Sequence, residues 1–363
     1  MKNNLYVDVH IIQTVPPSCV NRDDTNSPKT AVYGGVTRAR ISSQSWKKAV
    51  RDMFHNDRVI SSEKLGARTK KIVSMIAAEI VKIDSSIDLG KAEKSAVKIL
   101  ERADLKVKQN DATTEMLFFI SFAQVEALAK LATENPEIDK INKDIAKKAF
   151  NDSPGIEIAL FGRMVADSPN LKTDACAQVA HAISTHMVSN EFDYFTAVDD
   201  CSPGDNAGAA HIGTVEFNSS TLYRYATVAV HELGKHLGND TSDAVCEFVR
   251  AFACSMPTGK QNTFANRTMP DAMLVTMRTD QPVNLVGAFE RPVETQGGYV
   301  DGSVQAFITH TEKTYSAWLK KPEISFSVGE AFSKLGAPYS LSELLVELKK
   351  QTATMLSVNE DAG

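Results

Sequence analysis

The sequence predicts an α+β protein, and three observations carry that reading. Residues 6–15 and 31–41 are patterned as extended chain, and the second leads into one amphipathic helix. The block from Ile60 to about Phe150 is rich in Ala, Lys, Glu, Leu and Ile, the good helix formers. Strand patterns then return at Thr221–Val230 and Ala272–Thr279, with a helical stretch between them. Strands and helices in this order suit a sheet with helices on one face, of the ferredoxin-like kind, interrupted by a helical insertion.

Taken in order, Tyr6 to Val15 places Val7, Val9 and Ile11 on one side and Asp8, His10 and Gln13 mostly on the other. That alternation predicts a half-buried strand, ended by Pro16-Pro17. Val20 to Thr30 is polar and reads as a loop. Ala31 to Ile41 is extended again, and Gly34-Gly35 marks a turn, a bulge or a close backbone approach. Ser42 or Ser43 can cap the helix that follows. In the helical block, Glu63–Ile83, Lys91–Leu105 and Thr113–Thr133 each support a helix. IEIALFGRM, within Gly155–Met164, reads as a strand, and Leu171–Val188 is ambiguous between helix and strand. Asn190–Ser220 is a long loop or β-excursion with Asp199, Asp200, Pro203, Gly204, Asn206 and Gly208. Loops of that length are usually functional or disordered. Asn239–Met256 is a helix stopped by Pro257, Thr258–Asp271 is a polar loop, and Ser303–Lys320 is a further helix. A last helix at Leu341–Lys350 opens with a capping box of Ser340 and Glu343. There is no internal repeat.

At 363 residues the chain is one large or two medium domains. With 43% hydrophobic and 23% charged residues it is globular rather than disordered. Cys19, Cys176, Cys201, Cys246 and Cys254 are an odd, scattered set without a CxxC pair. They argue for a reducing compartment and against a disulfide scaffold or zinc ribbon. The opening MKNNLYVDVHIIQTV lacks the continuous apolar core of a signal peptide. No run approaches the roughly 18 apolar residues of a membrane span. A soluble, cytoplasmic protein with no membrane partner is expected.

The strongest functional signal is RARISSQSWKKAVR, Arg38 to Arg51. It holds five basic residues (Arg38, Arg40, Lys47, Lys48, Arg51) and no acid, in a chain of formal net charge -5. A positive island in an acidic protein signals an anionic partner better than net charge does. On the helix, Trp46, Val50 and Phe54 form an apolar stripe, and Gln44, Lys47, Lys48 and Arg51 form another face. One face can bury while the other offers donors to phosphate. Charge alone supports a solvated basic face equally well. Lys140, Lys143, Lys147 and Lys148 form a second basic run, interspersed with Asp139 and Asp144 as on an ordinary helix surface. Phe192, Tyr194 and Phe195 open the long loop, where they could stack on bases or anchor the loop to the core.

Other chemistry fails on spacing. HELGKH has His231 and His236 five apart, about 140° round a helix, whereas a zincin needs i and i+4. His181 and His186 repeat that spacing. No Walker A loop, GxSxG elbow or strand-following GxGxxG is present. Neither metal nor cofactor is expected.

The stretch resembles the backbone subunit of the type I-E CRISPR surveillance complex Cascade (the CasC family). The residues that carry the resemblance are Ser18–Asp24, Gly34-Gly35, Arg40–Ser45, Gly162–Met164, Ala180–Ile183, Phe195–Asp200 and Tyr223–Ala226. They run in family order and thin out after about Asp301. The resemblance implies a right-hand shape: an RRM-like palm (1–59, 177–189 and 221–363), helical fingers (60–176) and a thumb (190–220). It implies copies stacked head to tail on one CRISPR RNA, with other Cascade subunits and, through the complex, target DNA as partners. A protein that holds any spacer must grip phosphate and ribose, because backbone contacts carry no sequence information. Arg38, Lys47, Lys48 and Arg51 are therefore assigned to phosphate, and Ser42 and Gln44 to backbone or ribose oxygens. Asn21, Arg22 and Lys29 would reach from the adjoining loop, and Lys260 and Gln261 from the second polar loop. Arg163 and Met164 would bracket the RNA, and Phe195 would sit where the RNA of the next copy kinks. Lys140, Lys143, Lys147 and Lys148 are candidates for target DNA. A non-enzymatic scaffold is expected. The alternative is a metal-dependent endoribonuclease using Asp23 or Asp24, since backbone subunits of type III effectors cut RNA with an acidic loop residue. A turn held by those Asp side chains reads as well from the residues. A monomeric RRM-type binder would need an RNP1-like aromatic string, which the chain lacks.

Overall fold

Tyr6–Ser18 forms strand β1, and it is buried on both faces. The structure, a computed structural model, describes residues 4–108, 113–114, 117–135, 137–164, 169–196 and 212–361. The half-buried reading of β1 is corrected because its polar residues find partners inside. Asp8 accepts from the Tyr225 hydroxyl (3.0 Å) and from the Val283 amide (2.9 Å). His10 Nδ1 lies 2.9 Å from the Tyr223 hydroxyl. Gln13 donates to the Thr268 carbonyl and accepts from Arg224. A buried polar group costs little once it is hydrogen-bonded, so alternation here does not mean a wet face. The strand also runs through Pro16-Pro17. Its ladder to residues 272–278 covers only Tyr6–Ile12, so the prolines interrupt no bond of that ladder.

Burial raises the Asp8 carboxyl from 3.8 to about 6, against the pull of its hydrogen bonds and of Arg278. The folded chain then holds this proton more tightly than the unfolded chain. Stability from Asp8 is fully present below about pH 4 and is lost as pH rises through about 6, amounting to roughly 3 kcal/mol. Chemical denaturation at pH 4 to 7 is expected to show a steeper decline for the native chain than for Asp8→Asn. Parallel curves would contradict this.

Strands β2 (Thr30–Tyr33) and β3 (Val36–Ile41) form a hairpin, so Gly34-Gly35 is a turn, one of the three readings open from the sequence. Its turn places Gly34 and Gly35 at φ of 60° and 79°, where two glycines cost least. Helix α1 (Ser43–Asn56) follows, with Trp46, Val50 and Phe54 buried as their spacing predicts. The Arg224 guanidinium lies 3.7 Å from the Trp46 ring centroid.

The chain divides into two compact units: Met1–Val50 with Val179–Thr227 and Val245–Gly363, and Arg51–Gln178 with Val228–Ala244. The second unit is mainly helical. It contains β4 (Gly66–Thr69), α2 (Ile72–Ile83), α3 (Leu89–Arg102), β5 (Val107–Lys108), β6 (Thr113–Thr114), β7 (Phe118–Ser121), α4 (Phe122–Glu134), α5 (Lys143–Asn151) and α6 (Gly155–Phe161). Two of the three expected helices are shorter than read, because β4 precedes α2 and the short strands β6 and β7 precede α4. The Ser121–Gln124 capping box starts α4 where the Thr113–Thr133 pattern had suggested continuous helix. Ile76, Ile99, Leu100, Leu128 and Phe150 are among the side chains of its core. The strand expected at Gly155–Met164 is α6 instead. Ile156–Leu160 is buried throughout, and a short apolar run does not distinguish a buried helix from a strand.

The chain returns to the first unit through β8 (Ala177–Val179) and β9 (Ala182–Ser184), which resolve the ambiguous stretch as strands. Next come β10 (Glu191–Thr196) and β11 (Ile212–Ala229), paired antiparallel from Glu191↔Phe217 to Thr196↔Ile212. Of the two readings, loop or β-excursion, the paired strands at both ends agree with the β-excursion. Residues 197–211, with Asp199, Asp200, Pro203, Gly204, Asn206 and Gly208, lie outside the described residues. Helices α7 (Val230–Leu237), α8 (Thr241–Cys254) and α9 (Gln261–Phe264) precede β12 (Ala272–Arg278). Helix α10 (Val300–Ala317), strands β13 (Ile324–Val328) and β14 (Ala337–Tyr339), and helix α11 (Leu341–Asp361) complete the chain. The Ser340–Glu343 box forms as expected. The sheet order is β14-β13-β12-β1-β11-β9-β3-β2. Strands β12, β1, β11 and β9 thus lie side by side, with the first strand of the chain between the two added much later.

Candidate nucleic-acid interface

The loop after β1 is fastened to the start of α1. Asn21 Oδ1 accepts from the Ser42 amide at 2.9 Å. The Lys29 amide donates to the Asn21 carbonyl, and the Arg40 amide to the Lys29 carbonyl, both at 2.9 Å. Lys29 is thereby held beside β3. Ser42 caps α1: its carbonyl and hydroxyl oxygens both accept from the Ser45 amide. Beyond the cap, Gln44 and Lys48 are exposed and Lys47 is half-buried. Arg22 is exposed, with Nη1 3.1 Å from Asn26 Oδ1. Arg40 donates from Nε to the Thr30 carbonyl and from Nη1 to His181 Nδ1, 3.3 Å away.

A second loop joins this surface through Gly259. A Cβ there would lie 2.1 Å from the Val20 carbonyl oxygen, so the two loops touch backbone to backbone. Lys260 follows at φ 51° and Gln261 is exposed. Charges of both signs meet at Cys19: burial pushes its thiol up, Arg22 and Lys260 pull it back, and Asp23 and Glu216 add to the rise. Gly259→Ala is expected to destabilise the chain by about 1–3 kcal/mol, because the obstructing atoms are backbone. A denaturation midpoint equal to that of the native chain would overturn the contact.

Asp23 supports the turn reading. Its Oδ1 accepts from Thr25 N (2.9 Å), Thr25 Oγ1 (2.7 Å) and Ser27 N (3.0 Å). These bonds, led by the Thr25 hydroxyl, hold its carboxyl below the usual range. Asp24 is exposed beside it.

Four of the assigned residues are engaged within the chain by burial or bonding. Arg38 is 0% exposed, and its guanidinium donates to the carbonyls of Tyr33, Ser184, Phe289 and Glu290. It ties β3 to β9 and to the segment 289–290 from inside. Ser42 is buried and acts on the helix it caps. Arg51 belongs to the second unit, where its Nε lies 2.6 Å from the buried Glu157 carboxylate and its guanidinium covers the Phe119 ring. Arg163 is buried there too, donating to Leu171 O, Gln124 Oε1 and Asn151 Oδ1 between the rings of Phe118 and Phe150. Desolvation pushes it down only to about 10, so it stays a cation.

Met164 belongs to the second unit and is 86% exposed. Phe195 lies on the β-ribbon, partly exposed, with its ring over Gly213 of the facing strand. Lys140 and Lys147 pair with Glu137 and Asp104, each at 2.8 Å, while Lys143 and Lys148 are exposed. The residues gathered on the first unit are thus Asn21, Arg22, Lys29, Gln44, Lys47, Lys48, Lys260 and Gln261. Arg40, part of the basic island, and His181 join them, though the sequence assigned neither a contact. Their proximity depends on β3 pairing with β9, Arg40 opposite Ile183, which no spacing in the chain reveals.

The model of the CT1975-like protein family matches residues 7–348. The chain belongs to the CT1975-like family. It is similar to a chain of a "CRISPR RNA-guided surveillance complex, pre-nicking", with 31% identity over 94% of this chain and 100% of that one, and a TM-score of 0.79. A chain of another CRISPR RNA-guided surveillance complex shares 27% identity over 94% and 99%, with a TM-score of 0.66. No curated protein matches. These findings make the CT1975-like chain a Cascade-type CRISPR subunit, as its motifs suggested. Among its described residues no helix is long and apolar enough to cross a membrane.

Proposed function

We propose that this CT1975-like chain is the non-catalytic backbone subunit of a type I-E surveillance complex, and that copies of it assemble head to tail along one CRISPR RNA. The observation that carries the reading is the cationic surface where the 19–29 loop, the first turns of α1 and the 258–261 loop meet. Its donors are cationic and amide side chains of the kind that meet phosphate and ribose, which suits a ligand of any sequence. Lys29, Lys47, Lys48 and Lys260 neutralise phosphates, and Asn21, Arg22, Gln44 and Gln261 contact backbone or ribose. The four-strand order β12-β1-β11-β9 supports an RRM-like palm, the helical second unit supports fingers, and the β10–β11 ribbon supports a thumb. Met164 packs on a displaced base, and Phe195 meets the RNA of the next copy. Head-to-tail stacking is heterologous, so it extends until other subunits cap it. Target DNA is read by base pairing with the guide, and the exposed Lys143 and Lys148 contact its phosphates.

Co-purification from cytoplasmic extracts with and without CRISPR RNA, sized by light scattering, tests the reading. An RNA-dependent multimer protecting RNA of regular length is expected, with no Asp23- or Asp24-dependent cutting in manganese. An RNA-free monomer in the presence of the other subunits would overturn it.

A further inference from the structure

His181 lies outside every role given so far, yet it faces the cationic surface. It is exposed, in the two-residue break between β8 and β9. The charged groups that face it are Arg40 from β3 and Lys29 from the loop after β1. Lys29 and Arg40 also line one small recess with Asn21, Asn218 and Ser220. The Arg40 guanidinium can only donate, so His181 Nδ1, 3.3 Å from Arg40 Nη1, must accept. The free chain therefore carries a neutral imidazole with its proton on Nε2. Burial first, then Arg40 and Lys29, push its titration below the ordinary histidine range.

We infer that His181 is a proton-coupled ligand for an RNA phosphate, held ready in one tautomer by Arg40. A phosphate seated among Lys29, Arg40 and His181 offsets the two fixed positive charges that keep the imidazole neutral. His181 then takes one proton from solvent onto Nδ1 and becomes an imidazolium, with Nε2–H donating to the phosphate. The Nδ1 proton breaks the contact with Arg40, and Arg40 Nη1 is released to donate to the same phosphate. One proton is taken up per occupied site, and no covalent bond changes. This device rests on the reading of the chain as an RNA-binding subunit.

The test measures binding of the full chain to CRISPR RNA at pH 6 and pH 8 over a range of salt, for the native protein, His181→Gln and His181→Asn. The native chain is expected to bind about tenfold tighter at pH 6. Its salt dependence is expected to be steeper at pH 6 than at pH 8, because the imidazolium adds one cationic charge per subunit at the phosphate site. Both variants should lose that pH difference while still binding RNA and forming multimers. A pH and salt response shared by native chain and variants overturns the inference and leaves RNA binding standing. Failure of the native chain to bind RNA at either pH overturns both.

Discussion

Replacing Glu157 by Ala is expected to loosen the second unit by about 3–5 kcal/mol, the usual cost of stripping one partner from a buried ion pair. The Glu157 side chain is 1% exposed and serves three groups. It accepts from Arg51 Nε at 2.6 Å and from the Gly66 amide at 2.7 Å, and lies 3.2 Å from His55 Nε2. Removing it leaves a half-buried guanidinium and a buried strand amide without their acceptor. Arg51 keeps its stacking on Phe119, 4.4 Å from the ring centroid, but loses its counter-charge. Hydrogen exchange gives the local readout, since a global melt of two units need not be two-state. Protection in β4 and α6 should fall by about a hundredfold or more, and by less in Glu157→Gln, which keeps one acceptor. Unchanged protection in Glu157→Ala would mean that the carboxylate merely fills space.

Reversing charge at Lys47 and Lys48 is expected to cut affinity for CRISPR RNA by at least about a hundredfold near physiological salt, because phosphate contacts dominate such binding. The same change at Lys140 and Lys147, which already pair with Glu137 and Asp104, should leave RNA affinity within about twofold. The comparison separates local contact from net charge. Equal losses in both double variants would show that the long-range field of the protein, rather than the α1 surface, governs binding.

These two sites show what spacing does and does not encode. The apolar stripe of α1 is local: Trp46, Val50 and Phe54 must share a face wherever the helix lies, and all three are buried. The glycine turn and the Ser340–Glu343 cap are local in the same sense. The basic residues of the same stretch were legible as a group but not by destination. Arg38 is extended chain whose side chain reaches residues 184, 289 and 290. Arg51 sits one turn past Lys47 and Lys48, and its partner lies 106 residues away. A cation's role depends on whether a distant acceptor arrives, and sequence distance conceals that. The same limit turned β1 into an apparently half-wet strand and α6 into an apparent strand. The Arg40–His181 contact escaped for the converse reason, since it forms only through strand pairing.

The position of β1 also bears on how the chain is made. Tyr6 is opposite Arg278 and Ile12 opposite Ala272, so this ladder waits for residues that leave the ribosome roughly 270 positions later. At typical synthesis speeds that delay is on the order of 13 to 50 s. Throughout it, a strand carrying Val7, Val9, Ile11 and Ile12 lacks one of its neighbours and is open to wrong pairings. The core of the helical unit, from Ile72 to Leu171, is complete long before then. The helices can thus pack during translation, while the sheet that carries the cationic surface closes only near the end of synthesis.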